Sequence, residues 1–318
     1  MEFHPSSVRF SSYVLMANQD LNAKTTGGLR HGYLLRSGNA YADYFSWPEL
    51  GDRTWQEDLS LPLSGRSSLF QRCWQILSED PSAGSYHGSS SAWLQNHFLV
   101  GLSPQSSTMD VLEDAYQQGF RTFKVKVSGM RNSIFSSEQR RFFQQHSDVL
   151  LRLDANQSLS VNDLSSLLDQ LGSLTGKVEF LEDPFSQQDP TAWEFWNAQI
   201  PLAADFQKQE WMTKKHIGYF IVKPQREDPA NWVGRCDDIL SVITHSMEGP
   251  VGVALTIQQM PLWQKKWGKS IHPICGLMGF QTYQNFETAL FQQEGSKIRR
   301  SSLSLNDYLK GAEWQTLS

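Results

Sequence analysis

Six polar residues recur along the chain at intervals of about one strand and one helix, each late in a predicted strand. In chain order they are Lys126, Asp154, Glu182, Asp205, Lys223 and Ser246. If the strands form a parallel barrel, their carboxyl ends open onto one face, where active sites are built. Residues that lie far apart in sequence would then converge on one mouth.

Three of these residues, Asp154, Glu182 and Asp205, are carboxylates on consecutive strands. Three acidic side chains that meet in a low-dielectric cavity without a counter-charge repel one another strongly. A divalent cation removes that repulsion, and all-oxygen ligation favours a hard ion. The sequence therefore predicts a bound metal ion, Mg²⁺ first, with Mn²⁺ as the alternative.

The segment TFKVKVSG (122–129) predicts a strand with Lys124 and Lys126 on one face and apolar residues on the other. A neighbouring cation and partial burial both lower a lysine's pKa from about 10.4, so that Lys126 becomes available as a neutral base. Beside a metal ion and a second cation, Lys223, such a base suits abstraction of a proton next to a carboxylate. A solvent-exposed K-x-K face is the alternative. The catalytic interpretation depends on Lys126 and Lys223 occurring together with the three carboxylates.

The elements that must position these residues are alternating strands and helices from residue 96 onward. The capping pattern Ser160 to Asp163 predicts a helix start, Ser107 to Asp110 predicts another, and Asp189-Pro190 a third. Alternation repeated this often implies parallel βαβ units. Because no G-x-G-x-x-G or Walker loop is present, a barrel is favoured over an open nucleotide-binding sheet.

Composition limits the classes of function that remain. The 318 residues are 39% hydrophobic with a net charge of −5, which argues against a general nucleic-acid binder. The three cysteines, Cys73, Cys236 and Cys275, form no C-x-x-C pair and are expected to be free thiols. The start resembles no signal peptide and no apolar run reaches 18 residues, so we expect a cytoplasmic protein without membrane contact. The oligomeric state is left open.

The motifs together resemble the muconate-lactonizing branch of the enolase superfamily. Within that branch the likeness is to the dehydratases of menaquinone biosynthesis that form 2-succinylbenzoate. The barrel motifs are NHFLVG (96–101), LRLDAN (151–156), FLEDP (180–184), IVKP (221–224) and THSMEG (244–249), and the looser N-terminal matches are GLRHGYLLR and SWPELGDRTWQE. The resemblance implies a (β/α)7β TIM-like barrel over residues 96–280. It also implies an α+β capping domain over 1–95, completed by 281–318, where FETALFQQEG is predicted to be helical.

The resemblance also implies roles for single residues. Lys126 would take the proton alpha to the substrate carboxylate and later protonate the departing hydroxyl, and Lys223 would stabilise the enediolate. The metal ligands would be Asp154, Glu182 and Asp205, while Lys124 would tune Lys126 and Asn156 would support the metal shell. The reaction implied is syn dehydration of 2-succinyl-6-hydroxy-2,4-cyclohexadiene-1-carboxylate to 2-succinylbenzoate, a small-molecule carboxylate reaction.

Three further residues are candidate substrate contacts. Arg152 shares a strand face with Asp154 and should point inward, either to pair with a barrel carboxylate or to reach the substrate through water. Ser246 ends the seventh strand, near where the family binds the succinyl carboxylate. Gly276 would let the eighth strand approach the ligand closely.

One departure and two alternatives accompany this interpretation. Family members usually have Glu after the fifth-strand Asp, whereas Phe206 stands here, which removes a carboxylate near the metal. A dipeptide epimerase or N-acylamino acid racemase would use the same two lysines on the same scaffold. A catalytically silent barrel that binds a carboxylate ligand is the alternative from another class.

Overall fold

The structure, a computed structural model, describes residues 8–17, 28–79, 92–100, 108–127, 134–185, 190–197, 199–206, 208–212 and 217–317. Parts of the predicted 80–93 connector, Ser107, Asp189 and the end of TFKVKVSG lie outside the described residues. Within the described residues, no helix is long and apolar enough to cross a bilayer.

The N-terminal part is an antiparallel sheet covered by two helices. Its strands are β1 (Arg9–Ala17), β2 (Gly28–Ser37) and β3 (Ala40–Tyr44), and its helices are α1 (Trp55–Leu59) and α2 (Ser68–Ser78). Each helix begins at a hydroxyl cap, since Thr54 accepts the N–H of Glu57 and Ser67 accepts that of Phe70. Apolar residues of α2 and β3 then share one core.

A closed parallel barrel forms the larger part of the fold. Its strands are β4 (Leu94–Asn96), β5 (Phe98–Val100), β6 (Thr122–Lys126), β7 (Leu150–Asp154), β8 (Val178–Glu182), β9 (Leu202–Ala204), β10 (Tyr219–Val222), β11 (Leu240–Ile243) and β12 (Ile274–Cys275). Strands β5 to β11 pair in sequence order. Closure comes from β12, which pairs in parallel with β4, while the adjoining Gly276 bridges to Thr244. Because β4 continues through His97 into β5, the two act as one strand and the predicted barrel is confirmed.

Helices connect the barrel strands on the outside. They are α3 (Met109–Gln117), α4 (Ser137–Gln145), α5 (Val161–Leu171), α6 (Pro190–Asn197) and α7 (Pro250–Trp267). Ser160 and Asp163 form the predicted reciprocal capping box of α5, and Thr108 caps α3 by accepting the N–H of Val111. After β9 and β10 the described residues form only single 3-10 turns, Lys208–Trp211 and Pro229–Asn231.

The C-terminal segment differs from the sequence-based expectation. FETALFQQEG was predicted to be helical, but β13 (Phe291–Glu294) and β14 (Lys297–Arg300) form an antiparallel hairpin, and β14 also pairs with β4. The helical prediction was wrong because Gly295, at φ 54°, makes the tight turn between them. Short α8 (Leu305–Tyr308) follows the hairpin.

The chain ends next to its beginning. Strand β15 (Gln315–Thr316) pairs with β1, and Ala17 bridges to Tyr283, so parts of 281–318 join the N-terminal sheet while the β13–β14 hairpin joins the barrel. The domain boundaries near residues 95 and 280 stay a prediction.

Candidate active site

A cavity of about 470 Å³ lies at the carboxyl ends of the barrel strands. Nine of the ten predicted site residues line it, namely Lys124, Lys126, Asp154, Asn156, Glu182, Asp205, Lys223, Ser246 and Gly276. Strand pairing explains the convergence, because Lys126 pairs with Asp154 and Asp154 with Glu182 in parallel register. The tenth residue, Arg152, lies elsewhere.

The three carboxylates are buried at neighbouring strand ends, with relative exposures of 5% for Asp154, 4% for Glu182 and 9% for Asp205. Burial raises the pKa of Glu182 to about 7, although Lys124 opposes that shift. For Asp154 and Asp205 burial also favours the neutral form, but neighbouring lysines outweigh it and lower both pKa values. The negative charge of the site is therefore balanced by ammonium groups.

Lys124 bridges two of these carboxylates. Its Nζ donates to both oxygens of Glu182, at 2.7 and 2.9 Å, and lies 3.0 Å from Asp154 Oδ2. Burial alone would lower the pKa of Lys124, but the two carboxylates outweigh burial and raise it. Lys124 is therefore a fixed cation, which suits its predicted role beside Lys126.

Lys126 has the opposite shift. Burial lowers its pKa, and the nearby charges of Lys124 and Lys223 lower it further against the opposing effect of Asp154. This is the direction expected from the K-x-K pattern, with burial as the largest cause. A lowered pKa favours the neutral amine, which is the form of lysine that can act as a base.

Lys223 lies across the barrel from Lys126, on the strand that follows Asp205. Its Nζ donates to Asp205 Oδ2 and lies 5.6 Å from the ring centroid of Phe206. Burial opposes its charge, but Asp205 and Glu182 outweigh burial and raise its pKa. Lys223 is thus held as an ammonium ion, while Lys126 is the lysine that is easier to deprotonate.

The donor set fits a hard divalent cation in its chemistry. Three buried carboxylates face one cavity, and carboxylate oxygens are the ligands that a hard divalent ion prefers. Lys124 and Lys223 contact the same carboxylates that a metal would use. Consistent with this, no group of three His, Cys, Asp or Glu among the described residues is arranged to hold a metal ion.

Arg152 does not line the cavity, so the substrate-contact prediction for it is not supported. Its side chain is fully buried, and its Nε donates to Glu179 Oε2 at 2.5 Å. Its two terminal nitrogens donate to the Nδ1 atoms of His97 and His272, at 2.9 and 3.0 Å. The ion-pair alternative describes this residue, because β8 and β12 surround it with acceptors.

Ser246 and Gly276 line the cavity but are occupied by protein neighbours. The Ser246 hydroxyl donates to Glu248 Oε2 at 2.8 Å, and its backbone N–H donates to the same carboxylate. A Cβ at Gly276 would lie 2.5 Å from the His97 ring, so the space above this glycine holds an imidazole. The close approach predicted at Gly276 is therefore to His97.

Sequence reasoning missed a second set of residues behind Asp205. Lys208 Nζ donates to the Asp205 carbonyl at 2.5 Å and to Glu227 at 2.8 Å, and Glu227 also accepts the backbone N–H of Lys223. This chain of contacts ties β9 to β10 beside Phe206, where the usual Glu is absent. Neither residue ends a strand, so the strand-end pattern contained no signal for them.

Asp183 was also missed, although it stands in the quoted FLEDP motif. Its carboxylate accepts the backbone N–H groups of Asp205 and Phe206, at 3.0 and 3.3 Å. Burial and neighbouring carboxylates raise its pKa well above the usual value. A left-handed backbone at φ 41°, rare for a residue other than glycine, places this side chain under the next strand end.

Comparison with known proteins gives two matches in sequence. The family model described as O-succinylbenzoate synthase, N-terminal domain, matches residues 8–83. An o-succinylbenzoate synthase from Bdellovibrio bacteriovorus is 25% identical over 294 residues, which cover 83% of each chain.

Solved structures share the fold at low sequence identity. An enolase-superfamily member from Listeria innocua aligns with a TM-score of 0.76 at 13% identity, over 100% of both chains. The o-succinylbenzoate synthase of Thermosynechococcus elongatus, complexed with Mg in its active site, gives 0.64 at 19% identity, over 88% of this chain and 95% of its own. The L-Ala-D/L-Glu epimerase of Bacillus subtilis gives 0.70 at 14% identity, over 92% and 95%.

These likenesses cover both parts of the molecule. The N-terminal match lies in the sheet and helices before the barrel, and the structural alignments extend over nearly the whole chain. The chain therefore has the enolase-superfamily fold and, through its N-terminal domain and its Bdellovibrio relative, is identified as similar to the o-succinylbenzoate synthases.

Proposed function

We propose that the protein dehydrates 2-succinyl-6-hydroxy-2,4-cyclohexadiene-1-carboxylate to 2-succinylbenzoate, as an o-succinylbenzoate synthase. The observation that carries the proposal is the pair Lys126 and Lys223 on opposite sides of one cavity, with Asp154, Glu182 and Asp205 between them. The N-terminal match to a synthase domain favours this reaction over others on the same scaffold.

Lys126 is the proposed base and acid. Its neutral amine removes the proton from ring carbon 1, next to the substrate carboxylate, and the released electron pair is delocalised onto that carboxylate. The pair then forms the new ring double bond as the C6–O bond breaks, and the Lys126 ammonium returns its proton to the departing hydroxyl. Water and an aromatic ring are the products, so atoms and charge balance.

The remaining groups stabilise charge. Lys223, kept protonated by Asp205, places a cation beside the carboxylate while it carries additional negative charge. Asp154, Glu182 and Asp205 would hold a divalent ion, Mg²⁺ first, which when bound supplies positive charge to the same carboxylate. Burial lowers the pKa of Lys126, and the fixed charge of Lys124 lowers it further.

The test is formation of 2-succinylbenzoate by the wild-type protein with Mg²⁺, compared with Lys126→Ala and with an EDTA-treated sample. We expect metal-dependent turnover and a loss of at least about a thousandfold in kcat for Lys126→Ala, since the base is removed. Lys310→Ala, at an exposed site, is the matched control. Absence of turnover by a folded, Mg²⁺-loaded protein would contradict the proposal and leave a silent carboxylate-binding barrel or the next candidate.

A dipeptide epimerase is the second candidate. The structural similarity to the Bacillus subtilis epimerase supports it, and epimerisation would use Lys126 and Lys223 on opposite faces of one alpha carbon. Exchange of the alpha proton of L-Ala-L-Glu in D₂O, followed by NMR, separates the two functions. Exchange that depends on both lysines, together with no dehydration, would favour the epimerase.

A further inference from the structure

Two imidazoles at the cavity have no part in the proposed chemistry. His97 follows β4 and His245 follows β11, and both line the cavity. They flank β12, since His97 donates its backbone N–H to the carbonyl of Cys275 and His245 donates its backbone N–H to that of Gly276. The two side chains thus belong to one region of the cavity wall.

The tautomer of each ring follows from an obligatory donor. Arg152 Nη1 lies 2.9 Å from His97 Nδ1, and the backbone N–H of Met247 lies 2.9 Å from His245 Nδ1. A guanidinium and a backbone amide can only donate, so both Nδ1 atoms must accept. Each imidazole is therefore neutral and carries its hydrogen on Nε2.

The Nε2 edges point toward two glycines of the cavity wall. A Cβ on Gly276 would lie 2.9 Å from His97 Nε2, and one on Gly279 would lie 2.0 Å from His245 Nε2. Any side chain at either position would displace an imidazole from the cavity. Among the residues that the structure describes, none accepts a hydrogen bond from either Nε2, so none of them competes with a ligand for these donors.

The surrounding charge favours an acceptor with negative character. Burial and, after it, the charges of Lys124, Lys223 and Lys126 lower the pKa of His245 to about 3. The same positive field attracts an anion or a carbonyl oxygen. Ser246 does not compete for such a ligand, because both of its donors are taken by Glu248.

We propose that His97 and His245 form a two-donor subsite that binds the carboxylate or ketone oxygen of a second functional group on a carboxylate substrate. This inference deepens the proposed function and rests on it, since the succinyl chain would supply that oxygen. The two histidines are binding residues that set specificity, while Lys126 and Lys223 remain the reacting groups.

The experiment compares ligands with and without the second group, by calorimetry in the presence of Mg²⁺. The first pair is 2-succinylbenzoate and benzoate, and the second is L-Ala-L-Glu and L-Ala-L-Ala, with the weaker member of each measured by competition. The variants are His97→Asn and His245→Asn, whose amide oxygen can replace Nδ1 as acceptor while the Nε2–H is lost. His31→Asn, on the exposed face of β2, is the matched control.

We expect each histidine variant to lower the affinity for 2-succinylbenzoate by about tenfold to a hundredfold, because one hydrogen bond to a charged group is lost. Benzoate binding should change less than about threefold by the same reasoning. His245→Gln, which restores an N–H near the Nε2 position, should recover part of the loss, whereas a merely structural defect would not be rescued. Thermal unfolding confirms that each variant is folded.

The two hypotheses fail separately. If the wild type binds the dipeptides and not the benzoates, the dehydratase proposal fails. In that case the subsite is still supported if the histidine variants lose more affinity for L-Ala-L-Glu than for L-Ala-L-Ala. If a histidine variant lost the same factor in affinity for both ligands of a pair, the subsite proposal would be overturned. Failure of the folded wild type to bind either two-group ligand would overturn it as well.

Discussion

At the scale of single residues, two lysines on one strand face have opposite electrostatic roles. Lys124 contacts Asp154 and Glu182 directly and is held charged, whereas burial and neighbouring cations favour the neutral form of Lys126. In the β6–β7 register Lys126 pairs with Asp154 and Lys124 with Arg152, and the Lys124 ammonium reaches the carboxylates of both Asp154 and Glu182.

A pH profile tests this division of roles. In Lys124→Gln a cation near Lys126 is lost and two carboxylates lose their partner, and both changes raise the pKa of Lys126. The ascending limb of kcat/KM, which reports deprotonation of the base in the free enzyme, should therefore move to higher pH. Lys310→Gln serves as the exposed control, and a limb that stays in place or moves to lower pH would contradict the role of Lys124.

At the scale of elements, Arg152 links β7 to its neighbour β8 and to the closing strand β12. It contacts Glu179 at the start of β8 and His272 just before β12, and His272 Nε2 lies 3.0 Å from the same carboxylate. Burial opposes ionisation of Glu179, but His272 and Arg152 outweigh it and lower its pKa to about 2. This cluster holds β12 against β7 and β8 inside the barrel.

Removal of that carboxylate should weaken the fold. Glu179→Gln leaves Arg152 buried without its counter-charge, and we expect a loss of about 3–5 kcal/mol in the free energy of unfolding. Urea unfolding at pH 7 measures it. Glu294→Gln, on the exposed side of the β13–β14 hairpin, is the matched control, and a loss no larger than in the control would exclude a stabilising role.

The pH dependence of stability has a definite sign for the same residue. Because the folded pKa of Glu179 lies below its ordinary value of 4.5, its contribution is fully present above pH 4.5 and is lost as the pH falls toward 2. The difference in unfolding free energy between wild type and Glu179→Gln should therefore shrink between pH 5 and pH 2. A constant difference would contradict this assignment.

At the scale of the whole molecule, the N-terminal sheet is joined to the barrel beside the cavity. Asp43 of β3 accepts the Tyr13 hydroxyl at 2.6 Å and the backbone N–H of Gly252 in α7 at 3.0 Å. Trp47 Nε1 donates to the carbonyl of Ser246 at 3.0 Å. The N-terminal part thereby holds both the first turn of α7 and the loop that carries His245.

Asp43 makes this junction sensitive to pH. Burial raises its pKa to about 7, although the Tyr13 hydrogen bond opposes the shift. Since the folded pKa exceeds the ordinary 3.8, the contribution of Asp43 is greatest below pH 3.8 and falls as the pH rises through 7. The stability advantage of the wild type over Asp43→Asn should accordingly decrease from pH 5 to pH 8, by thermal or urea unfolding. An advantage that grows over this range would refute the shift, and Asp114→Asn is the exposed control.

The sequence by itself determined the kind of fold and the membership of the cavity. Strand periodicity, helix caps and the missing nucleotide-binding loops predicted a barrel. Polar residues at strand ends predicted six residues that line one cavity, namely Lys126, Asp154, Glu182, Asp205, Lys223 and Ser246, whereas Asn156 and Gly276 were predicted from the family resemblance. Both inferences depend on short-range rules, namely alternation along a strand and the shared direction of parallel strand ends. Both rules can be applied to the amino-acid sequence without knowledge of which residues meet in the folded protein.

Only the tertiary structure decided which groups pair. Arg152 is bound by Glu179 and two histidines, Ser246 by Glu248, and FETALFQQEG forms a hairpin edge against β4. The contacts of Arg152 with the histidines and the pairing of the hairpin with β4 depend on partners that become neighbours only when the barrel closes or the chain folds back on itself. His97 and His245 stand in the quoted motifs NHFLVG and THSMEG, but only the contacts of their Nδ1 atoms with Arg152 and Met247 show that each ring carries its hydrogen on Nε2.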